Sequence, residues 1–382
     1  MPYSPAGYGR KDTMAISFEE FNSAIQDGAR RRSLLFRDGR PYFVLLSQQF
    51  SRAELEALCD TATAIRRLDR HRDGREFLLA ILRGHRVMNL FAQPSTRTAQ
   101  SFIAAADKLG ATSTLVSDIQ TSSFAKGESV ADSVRTLSSF FDTIVVRHPD
   151  DEFATQAACA LHNSNRPVPV ISAGSGKSQH VTQALLDCYT LRYSFYERGG
   201  IDGKHIAIVG DIARNRAARS LALLLTKFRP GGIHFISPQN FAPGDALTDY
   251  LRRHEIAVEV EENLEQWLRK NGRKADAIYM TRLQKEWDNG GVAGQPNKDA
   301  NKSADDAYVL RSDYRLLVRD DCVIMHPLPR INELPSEWEE HPGFVVWRQV
   351  RNGMWMRASL FATIHGAAGE IRARAQRLGL LA

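Results

Sequence analysis

The run Val87-Met88-Asn89-Leu90-Phe91-Ala92-Gln93-Pro94-Ser95-Thr96-Arg97-Thr98 reads as an apolar strand followed by a turn rich in Ser and Thr. Phe102, Ile103, Ala106 and Leu109 then fall on one side of a helix. Strand, turn and helix in that order place the N–H groups of a helix start at the mouth of the turn. The helix dipole favours negative charge there. Ser95, Thr96 and Thr98 add hydroxyl groups, and Arg97 adds a planar fork that matches phosphate oxygens. On its own, a helix cap formed by Ser95 or Thr96 explains the turn. The rest of the chain decides whether the turn is half of a phosphate-handling site.

Outward from this run, strands alternate with helices. Strand-like runs are expected at Val44–Leu46, 87–91, 143–146, 168–171, 205–210, 233–237, 277–280 and 322–325. A helix opens at the capping box Ser51-x-x-Glu54, with Leu55, Leu58, Ala62, Ile65 and Leu68 on one face. Further helices are expected over 182–192, from 211 to about 228, and over 354–378. Alternation of this kind gives an α/β chain built on parallel sheets. A Gly-containing linker over 197–204 interrupts the alternation, so two domains are expected, each a parallel sheet flanked by helices. The boundaries read as an N-terminal extension over 1–40, a first domain over 41–190 and a second over 191–353. A C-terminal helix, 354–382, returns to the first domain. In the extension, Ser17 and Glu20 form a second capping box, and Phe18, Phe21 and Ile25 share a face, as in a short helix packed on the main body. Residues 288–306, rich in Asn, Gly, Asp and Lys, read as a loop.

Composition narrows the function classes. The 382 residues are 43% hydrophobic and 25% charged, the balance of a globular chain. No apolar run reaches the ~20 residues of a membrane span, and the polar start lacks a signal-peptide core. Cys59, Cys159, Cys188 and Cys322 are far apart and lack metal-ligand spacing, as expected of reduced thiols in a cytoplasmic protein. The net charge of +6 is interspersed with acids, and no nucleic-acid-binding motif accompanies it. An anion-binding pocket rich in Arg accounts for part of the surplus.

Polar clusters recur at the ends of the expected strands, where α/β proteins place ligands. Arg147-His148-Pro149 ends the strand that starts at Thr143. His180-Val181-Thr182-Gln183 opens a helix, and Arg282-Leu283-Gln284 and His326-Pro327-Leu328-Pro329-Arg330 end two further strands. Ser122-Ser123-Phe124-Ala125-Lys126-Gly127-Glu128 is a polar stretch before a helix. The clusters are rich in Arg, Lys, His, Thr and Gln and poor in acid. That suits a substrate with several negative charges, not a carboxylate-pair hydrolase or a metal site built on Asp and Glu. Two look-alikes fail. Gly176-Lys177-Ser178 has Ile171 where a P-loop needs its leading glycine. Gly210-Asp211-Ile212-Ala213-Arg214 lacks the second and third glycines of a dinucleotide loop.

Taken together, Ser-Thr-Arg-Thr, Lys-Gly-Glu, Arg-His-Pro, His-x-Thr-Gln, Tyr-Met-Thr-Arg-x-Gln-Lys-Glu and His-Pro-Leu-Pro-Arg stand in one order. In this the sequence resembles the aspartate/ornithine carbamoyltransferase family over residues 42–380. Tyr279-Met280-Thr281-Arg282 and His326-Pro327-Leu328-Pro329 favour its aspartate branch; the ornithine branch usually carries Ser-Met-Gly in the first place and a Cys in the second. The resemblance implies transfer of the carbamoyl group of carbamoyl phosphate to L-aspartate, an early step of pyrimidine synthesis, with no metal and no organic cofactor. Residue by residue it implies that Ser95, Thr96, Arg97, Thr98 and Arg147 hold phosphate. Thr98, Arg147 and His180 would contact the carbonyl oxygen, and Gln183 the carbamoyl nitrogen. Arg216 and Arg282, helped by Gln284, would hold the carboxylates of aspartate, and the backbone carbonyls of Pro327 and Leu328 would orient the reacting groups. Ser122 and Lys126 resemble residues that a neighbouring subunit donates, so a homotrimer with shared active sites is implied. Regulatory or other pyrimidine-pathway subunits are compatible with the resemblance; nucleic acid and membrane are not among the implied partners. A cis Leu328–Pro329 bond is implied as well.

The chain departs from the family at Gln93, usually Glu, and at Trp287, often Arg. Val181 replaces a usual Pro, Ala92 a usual aromatic residue, and Ala217 a Thr found in some members. These changes bear on domain closure more than on substrate contact. The rival readings are another acceptor amine such as ornithine, a non-catalytic scaffold, and a basic nucleic-acid-binding protein.

Overall fold

Apolar runs buried on both faces make the central strands of two five-stranded sheets among the described residues. The computed structural model describes residues 15–117, 127–176, 178–283 and 306–381. The first sheet comprises β3 (Phe43–Val44), β4 (Arg86–Phe91), β5 (Thr112–Val116), β6 (Thr143–His148) and β7 (Val170–Ser175). The second comprises β8 (His205–Val209), β9 (Gly232–Ile236), β10 (Val258–Glu261), β11 (Ala277–Met280) and β12 (Val323–Met325). The strand orders are β3-β7-β6-β4-β5 and β10-β9-β8-β11-β12, and every pairing in both sheets is parallel. This is the expected α/β class, with helices in the connections as parallel strands require. A short antiparallel hairpin, β1 (Phe36–Arg37) with β2 (Arg40–Pro41), precedes them.

Neither strand of this hairpin was expected, nor were two strands of the parallel sheets. β5, Thr-Ser-Thr-Leu-Val, and β10, Val-Glu-Val-Glu, are both edge strands. Leu115 and Val260 stay 38% and 43% exposed, so neither strand presents the continuous apolar run of a central parallel strand. Charge along β10 also guards an open edge.

The chain divides into two units. One takes Met1–Leu45, Arg67–Gly176 and Leu360–Ala382; the other takes Leu46–Arg66 and Lys177–Ser359. Packing therefore groups 46–66 and the helix Val181–Ser194 with the second sheet, whereas the sequence grouped them with the first. In the first unit the N-terminal segment forms the expected helix, Phe18–Gln26, with its capping box of Ser17 and Glu20. Phe21 is fully buried, with its ring 6.4 Å from that of Phe43. Asn163 ties the helix down further, accepting from Ile16 N–H at 3.1 Å and donating to Ile16 O at 2.8 Å. The box at Ser51 and Glu54 also forms, with Ser51 N–H donating to Glu54 Oε2 at 2.8 Å.

The C-terminal helix does return to the first unit, but not as one helix from 354. Val346–Ile364 and Ala368–Arg377 are separate. Gly366, at φ +77°, takes the left-handed conformation that ends a helix without the strain a side chain would add. Beside this break Phe361 packs edge-on against Phe102 at 5.8 Å, and His365 Nε2 meets Thr143 Oγ1 at 2.8 Å. Among the described residues, no helix is long and apolar enough to cross a membrane. Phe102 is fully buried, so Phe102→Ala should lower the unfolding free energy by about 3–5 kcal/mol, read from a urea melt.

Candidate active site

The first sheet winds outward in both directions from β4 and β6. From β4 the chain crosses to β5 on one side; from β6 it crosses to β7 on the other. Connections that leave neighbouring strands for opposite faces open a crevice at the carboxyl ends of those strands. β4 and β6 pair directly, with Phe91 opposite Arg147. The crevice is thus bordered by the Gln93–Thr98 turn and by Arg147-His148-Pro149. Gln93 N–H donates to Arg147 O at 3.2 Å and holds the two ends together.

In the turn, Ser95 takes the N-cap position of the helix Thr96–Lys108, yet its side chain makes no capping hydrogen bond. Its hydroxyl donates instead to Thr98 Oγ1 at 3.0 Å. Thr96 and Arg97 are exposed and Thr98 is buried. The cap reading of this turn therefore fails on geometry. Arg147 is anchored by donation from Nη1 to Ala173 O, 3.0 Å away on β7. His148 stacks on Phe153 at 4.1 Å and accepts from Asp150 N–H. Burial pulls its pKa below the ordinary imidazole value, outweighing the nearby Asp150.

The second sheet reverses between β8 and β11, which also pair directly. Gly210 follows β8 with φ +111°, and a Cβ there would lie 2.1 Å from Thr281 O. Glycine at this position serves close strand packing, not a dinucleotide. Thr281 donates from both N and Oγ1 to Val209 O, each at 2.8 Å. Arg282 follows at once. On the β8 side, Asn215 Oδ1 caps the helix Arg216–Leu225, so Arg216 is that helix's first residue. Both expected carboxylate-binding arginines thus flank one reversal.

The same unit holds His180, Gln183, Pro327 and Leu328. His180 is 7% exposed, and its backbone N–H donates to Ser220 Oγ at 2.9 Å. That bond joins the start of the helix Val181–Ser194 to the helix that Arg216 begins. Leu328 is left-handed at φ +58° and precedes the cis bond to Pro329, as implied by the resemblance. Leu328 N–H donates to His326 Nδ1 at 2.8 Å, which leaves Nε2 to carry the proton shared with Glu333 Oε1 at 2.7 Å. Burial holds the pKa of His326 below its ordinary value although Glu333 opposes this.

Gln183 Nε2 donates to Asp187 Oδ1 at 2.9 Å. Asp187 is fully buried and also accepts from Tyr279 Oη at 2.7 Å and Gln349 Nε2 at 2.6 Å. Sequence reading passed over Asp187; its signal was an acid four residues after Gln183 on a helix face that is otherwise buried. Ser122, Lys126 and Gln284, with Trp287 and nearly all of the 288–306 loop, lie outside the described residues. Among the described residues no group of His, Cys, Asp and Glu is arranged to hold a metal ion.

The carbamoyl-P binding domain of aspartate/ornithine carbamoyltransferase matches residues 44–193, and the Asp/Orn binding domain matches residues 202–364. The chain belongs to the aspartate/ornithine carbamoyltransferase family. Within that family it is 36% identical to the chloroplastic aspartate carbamoyltransferase of Arabidopsis thaliana, over 83% of this chain and 76% of that one. It is 33% identical to the catalytic subunit of aspartate carbamoyltransferase from Cellvibrio japonicus, over 86% of this chain and 93% of that one. Among solved structures, Trypanosoma cruzi aspartate transcarbamoylase in complex with carbamoyl phosphate matches with a TM-score of 0.73 at 30% identity, covering 84% of this chain and 95% of that one. The catalytic subunit from M. Jannaschii matches with a TM-score of 0.71 at 30% identity, covering 85% and 98%.

Burial raises the Asp187 carboxyl to about 7, against the lowering effect of the hydrogen bonds from Tyr279, Gln349 and Gln183 and of the Arg357 charge. A carboxyl whose pKa is raised by folding stabilises the fold below its unfolded value and loses that contribution as pH rises through the folded value. Between about pH 4 and pH 8 the wild type should therefore lose stability at this site, on the order of 4 kcal/mol, that Asp187→Asn does not lose. Urea melts of both proteins across that range measure the difference.

Proposed function

We propose that this chain transfers the carbamoyl group of carbamoyl phosphate to the amine of L-aspartate, giving N-carbamoyl-L-aspartate and phosphate. The observation that carries the reading is the placement of arginines at both strand-order reversals. Ser95–Thr98 and Arg147 border one, and Arg216 and Arg282 flank the other. In this reading carbamoyl phosphate belongs to the domain 41–190 with the C-terminal helical segment, and aspartate to 191–353.

Ser95, Thr96, Arg97, Thr98 and Arg147 hold the phosphate, with Arg97 and Arg147 meeting the charge that grows as it leaves. Attack of the amine on the carbamoyl carbon builds negative charge on the carbonyl oxygen. Thr98, Arg147 and His180 supply donors to that oxygen. Gln183 meets the carbamoyl nitrogen. Arg216 and Arg282 hold the two carboxylates of aspartate, with Gln284 assisting, and the carbonyls of Pro327 and Leu328 orient the amine. Holding both reactants in line supplies much of the acceleration. Ser122 and Lys126 complete the site from a neighbouring copy, so the working assembly is a homotrimer. The setting is de novo pyrimidine synthesis in the cytoplasm.

The test is phosphate release from carbamoyl phosphate with aspartate, with ornithine and without an acceptor. Release that depends on aspartate is expected; release with ornithine alone, or none at all, would sink the reading. Arg282→Ala should raise the KM for aspartate by about 10²-fold or more while leaving carbamoyl phosphate binding near its wild-type strength, because it removes one charge-assisted carboxylate contact. Arg97→Ala should instead lower kcat. Replacing Gln93 by Glu should change the aspartate dependence of the rate if the departure at this position weakens closure.

A further inference from the structure

We propose that Asp187 is the positioning residue that fixes which end of the Gln183 amide meets the substrate, and that it thereby selects a carbamoyl over an acyl phosphate. The inference rests on the role given to Gln183 above and adds what orients it. An amide side chain can present either an acceptor oxygen or a donor nitrogen, and its surroundings decide which. Gln183 is the one residue of 181–191 that is not buried, so one end of its amide meets the fold and the other lies outward.

A backbone group sets the direction of the network. His326 N–H can only donate, and it donates to Gln349 Oε1 at 3.0 Å. That turns Gln349 Nε2 toward Asp187 Oδ1, at 2.6 Å. Oδ1 is thus an acceptor, and it takes Gln183 Nε2 at 2.9 Å as well. Oδ1 already takes two donors, so a proton taken up by Asp187 goes to Oδ2, where the Tyr279 hydroxyl 2.7 Å away turns from donor to acceptor, and Oδ1 stays an acceptor. In either protonation state the Gln183 nitrogen is committed inward and its carbonyl oxygen is left for the ligand.

An outward acceptor pairs with the N–H groups of a carbamoyl group. The methyl group of acetyl phosphate is similar in size but offers no donor, and would leave the oxygen unpaired. Sites that hydrogen-bond a substrate group reject the analogue that lacks it far more strongly than shape alone allows. A Gln183 amide free to turn would lose part of that discrimination.

The experiment compares kcat/KM for carbamoyl phosphate and acetyl phosphate, with aspartate as acceptor, in the wild type and three variants. Asp187→Leu, close in shape but without an acceptor, should lower the carbamoyl preference by about tenfold or more. Asp187→Asn can place its amide oxygen at the Oδ1 position and its nitrogen toward Tyr279, so it should keep the preference within about threefold. A purely structural role would not separate these two variants in the substrate ratio. Gln183→Glu, isosteric and half-buried, keeps the test alive if Asp187→Leu does not fold. It sets two carboxyls against each other, so its carbamoyl phosphate activity should rise about tenfold from pH 8 to pH 6, as one shared proton enters, with no such slope in the wild type. A folded Asp187→Leu with an unmoved ratio, or Gln183→Glu with a wild-type pH profile, would overturn the inference and leave the transferase reading standing. Absence of aspartate-dependent turnover in the wild type would overturn both.

Discussion

A parallel sheet that grows outward from its middle must send the connections of two adjacent strands to opposite faces, and the crevice this leaves is fixed by topology, not by side chains. In this chain the constraint acts twice, between β4 and β6 and between β8 and β11. The residues with anion chemistry sit at the ends of those strands and at the turns and helix starts that follow them. Everything local serves to hold them there: Gln93 bonded to the backbone at Arg147, Arg147 to the backbone of β7, Gly210 letting Thr281 approach, and Asn215 starting the helix at Arg216.

The central strands were legible because burial on both faces forces an unbroken apolar run, as in Val87–Phe91 and Thr143–Val146. The edge strands β5 and β10 were not, because an edge tolerates the polar and charged residues that mask a strand. The capping boxes at Ser17 and Ser51 were readable from spacing alone, since both partners lie within one turn. The break at Gly366 was missed because a glycine inside a helical pattern does not announce the left-handed conformation; tertiary contacts around His365 decide it. The site was legible where short motifs carry it, and Asp187 was not, since its partners Tyr279 and Gln349 lie far along the chain and converge only on folding.

Departures from the family fall around this framework without breaking it. Gln93 contributes a backbone N–H to the Arg147 contact, which any side chain at this position would allow. Val181 is fully buried at the start of its helix, and Ala217 gives its N–H to the Asn215 cap. The geometry of the strand ends is therefore insensitive to these substitutions, and their consequences belong to side-chain reach.

The unusual turn at Ser95 has a further consequence. Its hydroxyl is engaged with Thr98, so the helix that follows begins without a side-chain cap. An anion seated there would accept the N–H groups that a cap normally takes. Ligand and helix would then complete one another: the phosphate would finish a piece of secondary structure, and part of its binding free energy would be folding free energy of the first turn. Order at the Thr96–Thr98 turn would be a property of the occupied protein.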